Sequence, residues 1–394
     1  MVQTYSRLYM GKKRSNEYAI YSRDFFREEP LNVAVVKNGI ILPAHENKTK
    51  LWADGGVIDE NGNFLETTKI AKGFTFGGKY AYDKDKIIKS DEVVLYFNPL
   101  IKHWGHFICD LIGRLWYIRN NPRKYKIAYC GWNWGLDEGG FSGNFLELLG
   151  LLGIKKEQLI NVQHPMQFKK VIVPDSAFVQ NEYYATEFTE MIDILVKNAL
   201  KKCPSVPEKI YFSRTRLGFD KELGEAKLEK LFADNGYEIM YPEKLSVKEQ
   251  ICYFNKAKSI VMVAGSISHN LIFTRSSKVD AAIINKMPLP NSYQFTVDSM
   301  TKANVSYVDA YFAPRPVLYG MGPFLLSINR YLRQFLHDKE LCLTVSSSTP
   351  IRDYIWYFKK YYEYYNNDEN KKALKNQMLS LSRQADYLRK QKNN

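Results

Sequence analysis

The sequence predicts an α/β protein of two Rossmann-like domains followed by a helical tail. Three observations predict it. The chain has 394 residues, more than one compact core usually holds. Residues 209–285 alternate strand and helix signals as β-α-β-α-β-α-β, the pattern of a parallel sheet with right-handed crossovers. Residues 1–200 carry a second, less regular set of the same signals. The expected divisions are 1–200, 201–310 and a tail at 311–394, with the Lys- and Pro-containing run 201–207 as linker.

The second domain is the more legible. Lys209–Ser213 reads as a short buried strand. Glu225–Asn235 has helical spacing, with Leu228, Leu231 and Phe232 on one face and Gly236 as the stop. Tyr237–Tyr241 is the next strand. Ser246 and Glu249 have capping-box spacing and open a helix carrying Ile251, Cys252 and Phe254. Ser259–Val263 is a continuous apolar run, as a parallel strand covered on both faces requires. A Gly265-Ser266 turn then leads into a helix over Ser268–Thr274, and Val279–Ile284 is the fourth strand.

In the first domain, strands are expected at Val33–Val36, Val93–Phe97, Ile127–Cys130 and Val171–Val173. Helices are expected over His106–Asn120, Phe145–Leu152 and Thr186–Lys201, with extra hairpins near the N-terminus. In the tail, Arg352–Tyr365 is dense in aromatic and basic side chains. Beyond a polar break, Leu374, Met378, Leu381, Ala385 and Leu388 share one helical face. This pair of helices is expected either to pack back on the body or to touch a membrane surface or partner helix.

Composition excludes some classes. Hydrophobic content of 45% and charged content of 25% are those of a globular chain rather than a disordered one. No run approaches the roughly 20 apolar residues of a membrane span, and residues 1–7 lack a signal peptide's apolar core. The expectation is a cytoplasmic protein, at most peripheral at the inner face of a membrane. The formal net charge of +14 points to phosphate-bearing partners without choosing among them. Five scattered cysteines without a CxxC pair predict reduced, mostly buried thiols and no zinc site.

Three constellations can carry chemistry. Ala264-Gly265-Ser266-Ile267-Ser268-His269-Asn270 follows a strand and opens a helix. Small residues there admit close approach to a ligand, and helix N–H groups suit a diphosphate. In His103-Trp104-Gly105-His106-Phe107-Ile108-Cys109-Asp110, His106 and Asp110 are four apart, with Arg114 four further on. On a helix this is one row of imidazole, carboxylate and guanidinium. Ser213-Arg214-Thr215-Arg216 places two guanidinium groups past a strand's carboxyl end, where α/β sheets bind ligands. Asp83-Lys84-Asp85 has metal-pair spacing but reads as a solvated turn. A Trp132- and Trp134-rich loop at Gly139-Gly140 is a candidate lid.

These pieces together resemble glycosyltransferase family 61, the capsular-polysaccharide transferase type. The ordered set is Gly105-His106-Phe107 with Asp110, then Ser213-Arg214, then Gly224-Glu225 where the family has Asn-Glu. Tyr241-Pro242-Glu243, Leu245-Ser246 and Glu249-Gln250 follow, and a strand ends in a Gly-Ser turn with Asn270 and Phe273. Ala264 stands where the family has His. The resemblance covers about residues 92–285. It implies a GT-B architecture, two Rossmann-like domains facing a central cleft, and an inverting transfer from a nucleotide-sugar, with UDP as the expected nucleotide, to a capsular or surface glycan that can be lipid-linked.

On that reading His106 and Asp110 are catalytic. Arg214, Arg216, Glu243, Gly265, Ser266, His269 and Asn270 bind the donor, Glu243 through its ribose. His103 and Arg114 support. No cofactor and no metal is required. The competing readings are a basic nucleic-acid-binding protein, against which the absence of RNP, KH and helix-turn-helix patterns counts, a non-catalytic scaffold of the same fold, and a nucleotide-sugar epimerase.

Overall fold

The computed structural model describes residues 7–21, 23–50, 52–71, 75–132, 140–218, 221–289 and 291–392. The chain is a mixed α/β protein with parallel sheets. It divides into two compact units: the described parts of Met1–Asp24, Cys203–Leu245 and Glu249–Asn394 form one, and those of Phe25–Lys202 with Ser246–Lys248 form the other.

The first unit is built on a six-stranded, wholly parallel sheet. Its order is Arg7–Tyr9, Asn304–Asp309, Asp280–Asn285, Ser259–Val263, Lys209–Phe212, Glu238–Met240. The strands expected at 209, 237, 259 and 279 are all present, each within two residues of its expected bounds. Counted from Lys209–Phe212, the order runs second, first, third, fourth, fifth, a doubly wound arrangement with its reversal between the first and third strands. One face carries Tyr211, Val261, Val263, Ile284 and Val308 against Leu228, Leu231 and Phe232 of helix Glu225–Asp234 and Leu332 and Phe335 of helix Arg330–Asp338. Truncating a buried aromatic such as Phe232 to Ala costs about 3–5 kcal/mol in cores of this kind.

Two features of this unit differ from expectation. Arg7–Tyr9 adds the sheet's edge strand beside Asn304–Asp309, and helix Lys12–Tyr21 buries Tyr18 and Tyr21 against Phe295. These residues therefore belong with the C-terminal part of the chain rather than with the segment that follows them; a three-residue strand carries too little periodicity to be read. Cys203 and Cys252 form a disulfide, which corrects the expectation of five reduced thiols. Their 49-residue separation offers no local spacing signal, and only the fold brings them together. Cys109 and Cys130 are free and buried, and Cys342 is free and exposed.

The second unit holds a seven-stranded mixed sheet. Met166–Pro174, Ile88–Leu100, Lys126–Gly131 and Leu159–Asn161 are parallel neighbours, while Val33–Lys37 and the hairpin Ile40–Glu46/Ala53–Ile58 add antiparallel strands. Ile41, Val57, Val94, Phe168, Val171 and Val173 pack together in its core. Helices Gly143–Leu151 and Thr186–Leu200 lie close to their expected bounds. The expected helix over 106–120 is instead three short pieces: an α turn at Trp104–His106, a π turn at Phe107–Leu111 and a 3-10 stretch at Ile112–Ile118.

The expected helical tail at 311–394 is not helical throughout: Tyr311–Phe312 and Phe324–Leu326 are strands and Arg330–Asp338 packs on the parallel sheet, so the tail proper is two helices, Ile351–Tyr365 and Asp368–Lys392. The inner face of the first packs on the first unit, where Tyr365 joins Met287, Val317, Leu318 and Phe324, with Leu374 of the second helix against the same cluster. The side chains of Leu381, Ala385 and Leu388 lie outside the described residues. Among the described residues no helix is long and apolar enough to cross a membrane.

Candidate active site

In a doubly wound sheet the loops after the carboxyl ends of the two strands flanking the reversal diverge to opposite faces and leave a crevice. Here those strands are Lys209–Phe212 and Ser259–Val263, which are hydrogen-bonded neighbours. The loops are Ser213-Arg214 and Ala264-Gly265. The fold thus brings together two sequence-predicted elements: the Arg214 guanidinium donates to the Ala264 carbonyl at 3.3 Å and lies against Gly265, where an added Cβ would stand 2.8 Å from Arg214 Nη1. Gly265 is needed for space, since its φ of 168° is ordinary extended backbone. The following turn, Ser266–Phe273, is 3-10 rather than α-helical.

Charge is concentrated behind this contact. Glu222 accepts from Lys286 and pairs with Arg214 at 3.1 Å. Lys286 directly follows the strand Asp280–Asn285, at the same carboxyl edge of the sheet. Burial first and the Arg214 charge second pull its ammonium down to about 8, and Glu222 only partly offsets both. Glu222 is also buried, yet the charges of Lys286 and Arg214 hold its carboxyl below the ordinary value. Glu225 accepts from the Arg214 backbone N–H at 2.9 Å, and burial pushes its carboxyl up to about 7. Arg214 and Lys286 thus stand against the anionic Glu222 and a Glu225 carboxyl raised toward its protonated form, a surrounding that suits an anion. Sequence reading missed Glu222 and Lys286; a Lys one residue past an apolar strand was the available signal.

His269 and Asn270 are buried at the same turn. Asn270 donates to Gln250 at 2.8 Å and so ties the turn to helix Val247–Lys256. Gln294 Nε2 donates to the Ser268 carbonyl at 3.1 Å and to Asp298 at 2.9 Å, which fixes the amide orientation. Its oxygen, 3.0 Å from His269 Nδ1, must then accept a proton held on that nitrogen. Tyr307 completes the chain by donating to Asp298, whose carboxyl burial raises to about 7, against the pull of those two hydrogen bonds. Arg216 is exposed and stacks its guanidinium 3.8 Å from the centre of the Tyr241 ring. Glu243 is exposed in the short turn Pro242–Lys244.

The second unit, taken by itself, carries the sequence-predicted imidazole and carboxylate. His106 Nδ1 lies 2.8 Å from Asp110 Oδ2 across the π turn, with 21% of the imidazole and 8% of the carboxylate side chain exposed. The short hydrogen bond places the proton of a neutral ring on Nδ1 and leaves Nε2 as the basic nitrogen. Two side chains brace the ring. His103 caps the turn, its Nδ1 accepting from the His106 backbone N–H at 3.4 Å. Trp52, buried in the hairpin connection, sets its indole edge-on to His106 with ring centres 5.1 Å apart. Trp52 had no signal in the sequence.

The expected row of His106, Asp110 and Arg114 ends at Asp110, because the π turn and the 3-10 stretch break the α-helical register. Arg114 is fully buried and donates to Asn98 at 3.1 Å and to the carbonyls of Pro174 and Thr67. It holds the segment to its sheet. Single π turns recur at functional sites, where they re-aim a side chain. Asp83 caps its own turn, accepting from the Asp85 N–H at 3.0 Å, and among the described residues no group of three or more His, Cys, Asp or Glu side chains is placed to hold a metal ion. The candidate lid falls largely on residues 133–139, outside the described residues.

Residues 104–280 match the family model described as Glycosyltransferase 61. This stretch is similar to glycosyltransferase 61. It begins beside His106, ends inside the strand Asp280–Asn285, and contains the His106–Asp110 pair, Arg214 and the Gly265 turn. Trp52, Lys286, Gln294 and Asp298 lie outside the matched residues. No curated protein shows a significant match to the chain.

Proposed function

We propose that the protein is an inverting glycosyltransferase of GT-B architecture, moving a hexosyl or pentosyl group from a nucleotide-sugar to a growing capsular or surface glycan. The reading is carried by the His106–Asp110 pair inside the residues similar to glycosyltransferase 61. In this mechanism His106 Nε2 takes the acceptor hydroxyl proton while the acceptor oxygen bonds to the anomeric carbon. The bond to the diphosphate breaks in line, and its electrons leave with the phosphate oxygen. Asp110 keeps the ring's tautomer and stabilises the imidazolium; general-base action of this kind is worth about 10²–10⁴-fold.

Arg214 and the backbone N–H groups at Gly265-Ser266 take the diphosphate's charge, the part a divalent ion plays in other transferases. His269 accepts from a donor hydroxyl through Nε2, since Nδ1 is engaged by Gln294. Asn270 supports the turn, Arg216 flanks the phosphates, and Glu243 takes the ribose. The acceptor side is assigned to the domain of residues 25–202 and the donor side to the domain that begins at 203. UDP is the expected nucleotide, and a lipid-linked acceptor fits a polymer built on the inner face of a membrane.

The test is a calorimetric titration with nucleoside diphosphates and nucleotide-sugars. Arg214→Ala is expected to weaken binding of the preferred diphosphate by about tenfold or more, as loss of a charged hydrogen bond does. Unchanged affinity in a folded variant counts against the donor role.

A further inference from the structure

Helix Ile351–Tyr365 exposes a line of large apolar side chains: Ile351 at 78%, Ile355 at 63%, Phe358 at 49% and Tyr362 at 67%. Spacings of four, three and four put them on one helical face. The opposite face is anchored. Tyr357 and Tyr365 are buried, and the Tyr365 hydroxyl accepts from the Leu318 N–H at 2.7 Å and donates to the Gly322 carbonyl at 2.7 Å. The apolar line therefore cannot roll inward; the core already holds the other side of the helix.

The charged groups around the line are mainly cationic. Arg352 and Lys359 flank it with side chains 86% and 75% exposed. Arg315 lies over the Tyr361 ring. Asp353 is beside Arg352, and Glu363 is shared by Lys359 and Lys360. Residues 351–394 contain ten Lys and Arg against five Asp and Glu, in a chain of net charge +14. A second copy of so basic a surface is repelled by the first, and a nucleic acid has no use for the apolar line. An anionic bilayer satisfies both features: apolar side chains enter the boundary between headgroups and acyl chains while Lys and Arg meet lipid phosphates.

We propose that the outer face of helix Ile351–Tyr365 seats the protein on an anionic lipid surface, with Ile351, Ile355, Phe358 and Tyr362 in the interface and Arg352 and Lys359 on phosphates. This is independent of the transferase reading. The experiment is co-sedimentation of the full chain with phosphatidylcholine vesicles made with and without phosphatidylglycerol, at low and high salt. Wild type is expected to bind the phosphatidylglycerol vesicles only, and less at high salt. The double variant Ile355→Glu/Phe358→Glu is expected to lose at least about tenfold in partitioning. The double variant Arg352→Ala/Lys359→Ala is expected to bind more weakly and with a shallower salt dependence. All four positions are exposed, and an unchanged melting temperature confirms that the variants are folded. Equal partitioning of the glutamate variant, or no wild-type binding to anionic vesicles, overturns the proposal. So does a wild-type dimer in light scattering that the glutamate variant converts to monomer.

Discussion

Asp298 shows how one buried residue couples the site to pH. Its carboxyl is raised by burial to about 7, against about 4 in an unfolded chain. The folded state therefore holds a proton that the unfolded state gives up. Stability from this group is complete below about pH 4 and is lost as pH rises through about 7. Asp298→Asn keeps an acceptor for Gln294 or Tyr307 and removes the titration. Calorimetry is expected to show a steeper fall in melting temperature between about pH 4 and pH 7 for wild type than for the variant. Parallel curves contradict the assignment. Glu225, also raised to about 7, leaves the variant a residual slope of the same sign. Gly265 is the second informative residue. In Gly265→Ala the new methyl meets the far end of the Arg214 side chain, so the guanidinium swings and the backbone holds. Diphosphate affinity is expected to fall while stability changes by less than about 1 kcal/mol. Unchanged affinity places the contact outside the site.

At the scale of elements, continuous apolar runs were sufficient where structure is regular. Ser259–Val263 was readable to the residue, because a strand buried on both faces needs an unbroken apolar run. The 104–118 segment was not. Its side chains from Phe107 to Ile118 are almost all buried, so no amphipathic stripe reports the register, and α, π and 3-10 turns use the same residue types. The His106–Asp110 contact survived that error because both an α and a π turn bring i and i+4 close; the Arg114 extension did not. Gly224 tests the packing of an element directly. It starts helix Glu225–Asp234 at φ 96°, and an added Cβ would overlap the Leu326 backbone carbonyl. Urea unfolding of Gly224→Ala is expected to show a loss of about 1–3 kcal/mol or more. Wild-type stability contradicts the close approach of the Glu222–Leu223 and Phe324–Leu326 strands.

At the scale of the whole molecule, alternation of strands and helices predicted the parallel sheet but not its order, and the order is what explains why Arg214 and Gly265 meet. Strand neighbours are set by crossovers and long-range packing, which no local pattern encodes. The same holds for the Cys203–Cys252 disulfide and for Arg7–Tyr9 closing a sheet whose next neighbour lies some 300 residues on. The account assigns proton removal to one unit and diphosphate binding to the other, so the two functions should separate under mutation. The most direct measurement is single-turnover transfer from the nucleotide-sugar that binds, paired with diphosphate titration, in His106→Ala. The account predicts wild-type diphosphate affinity with transfer slowed at least about 100-fold. Transfer at the wild-type rate would contradict it.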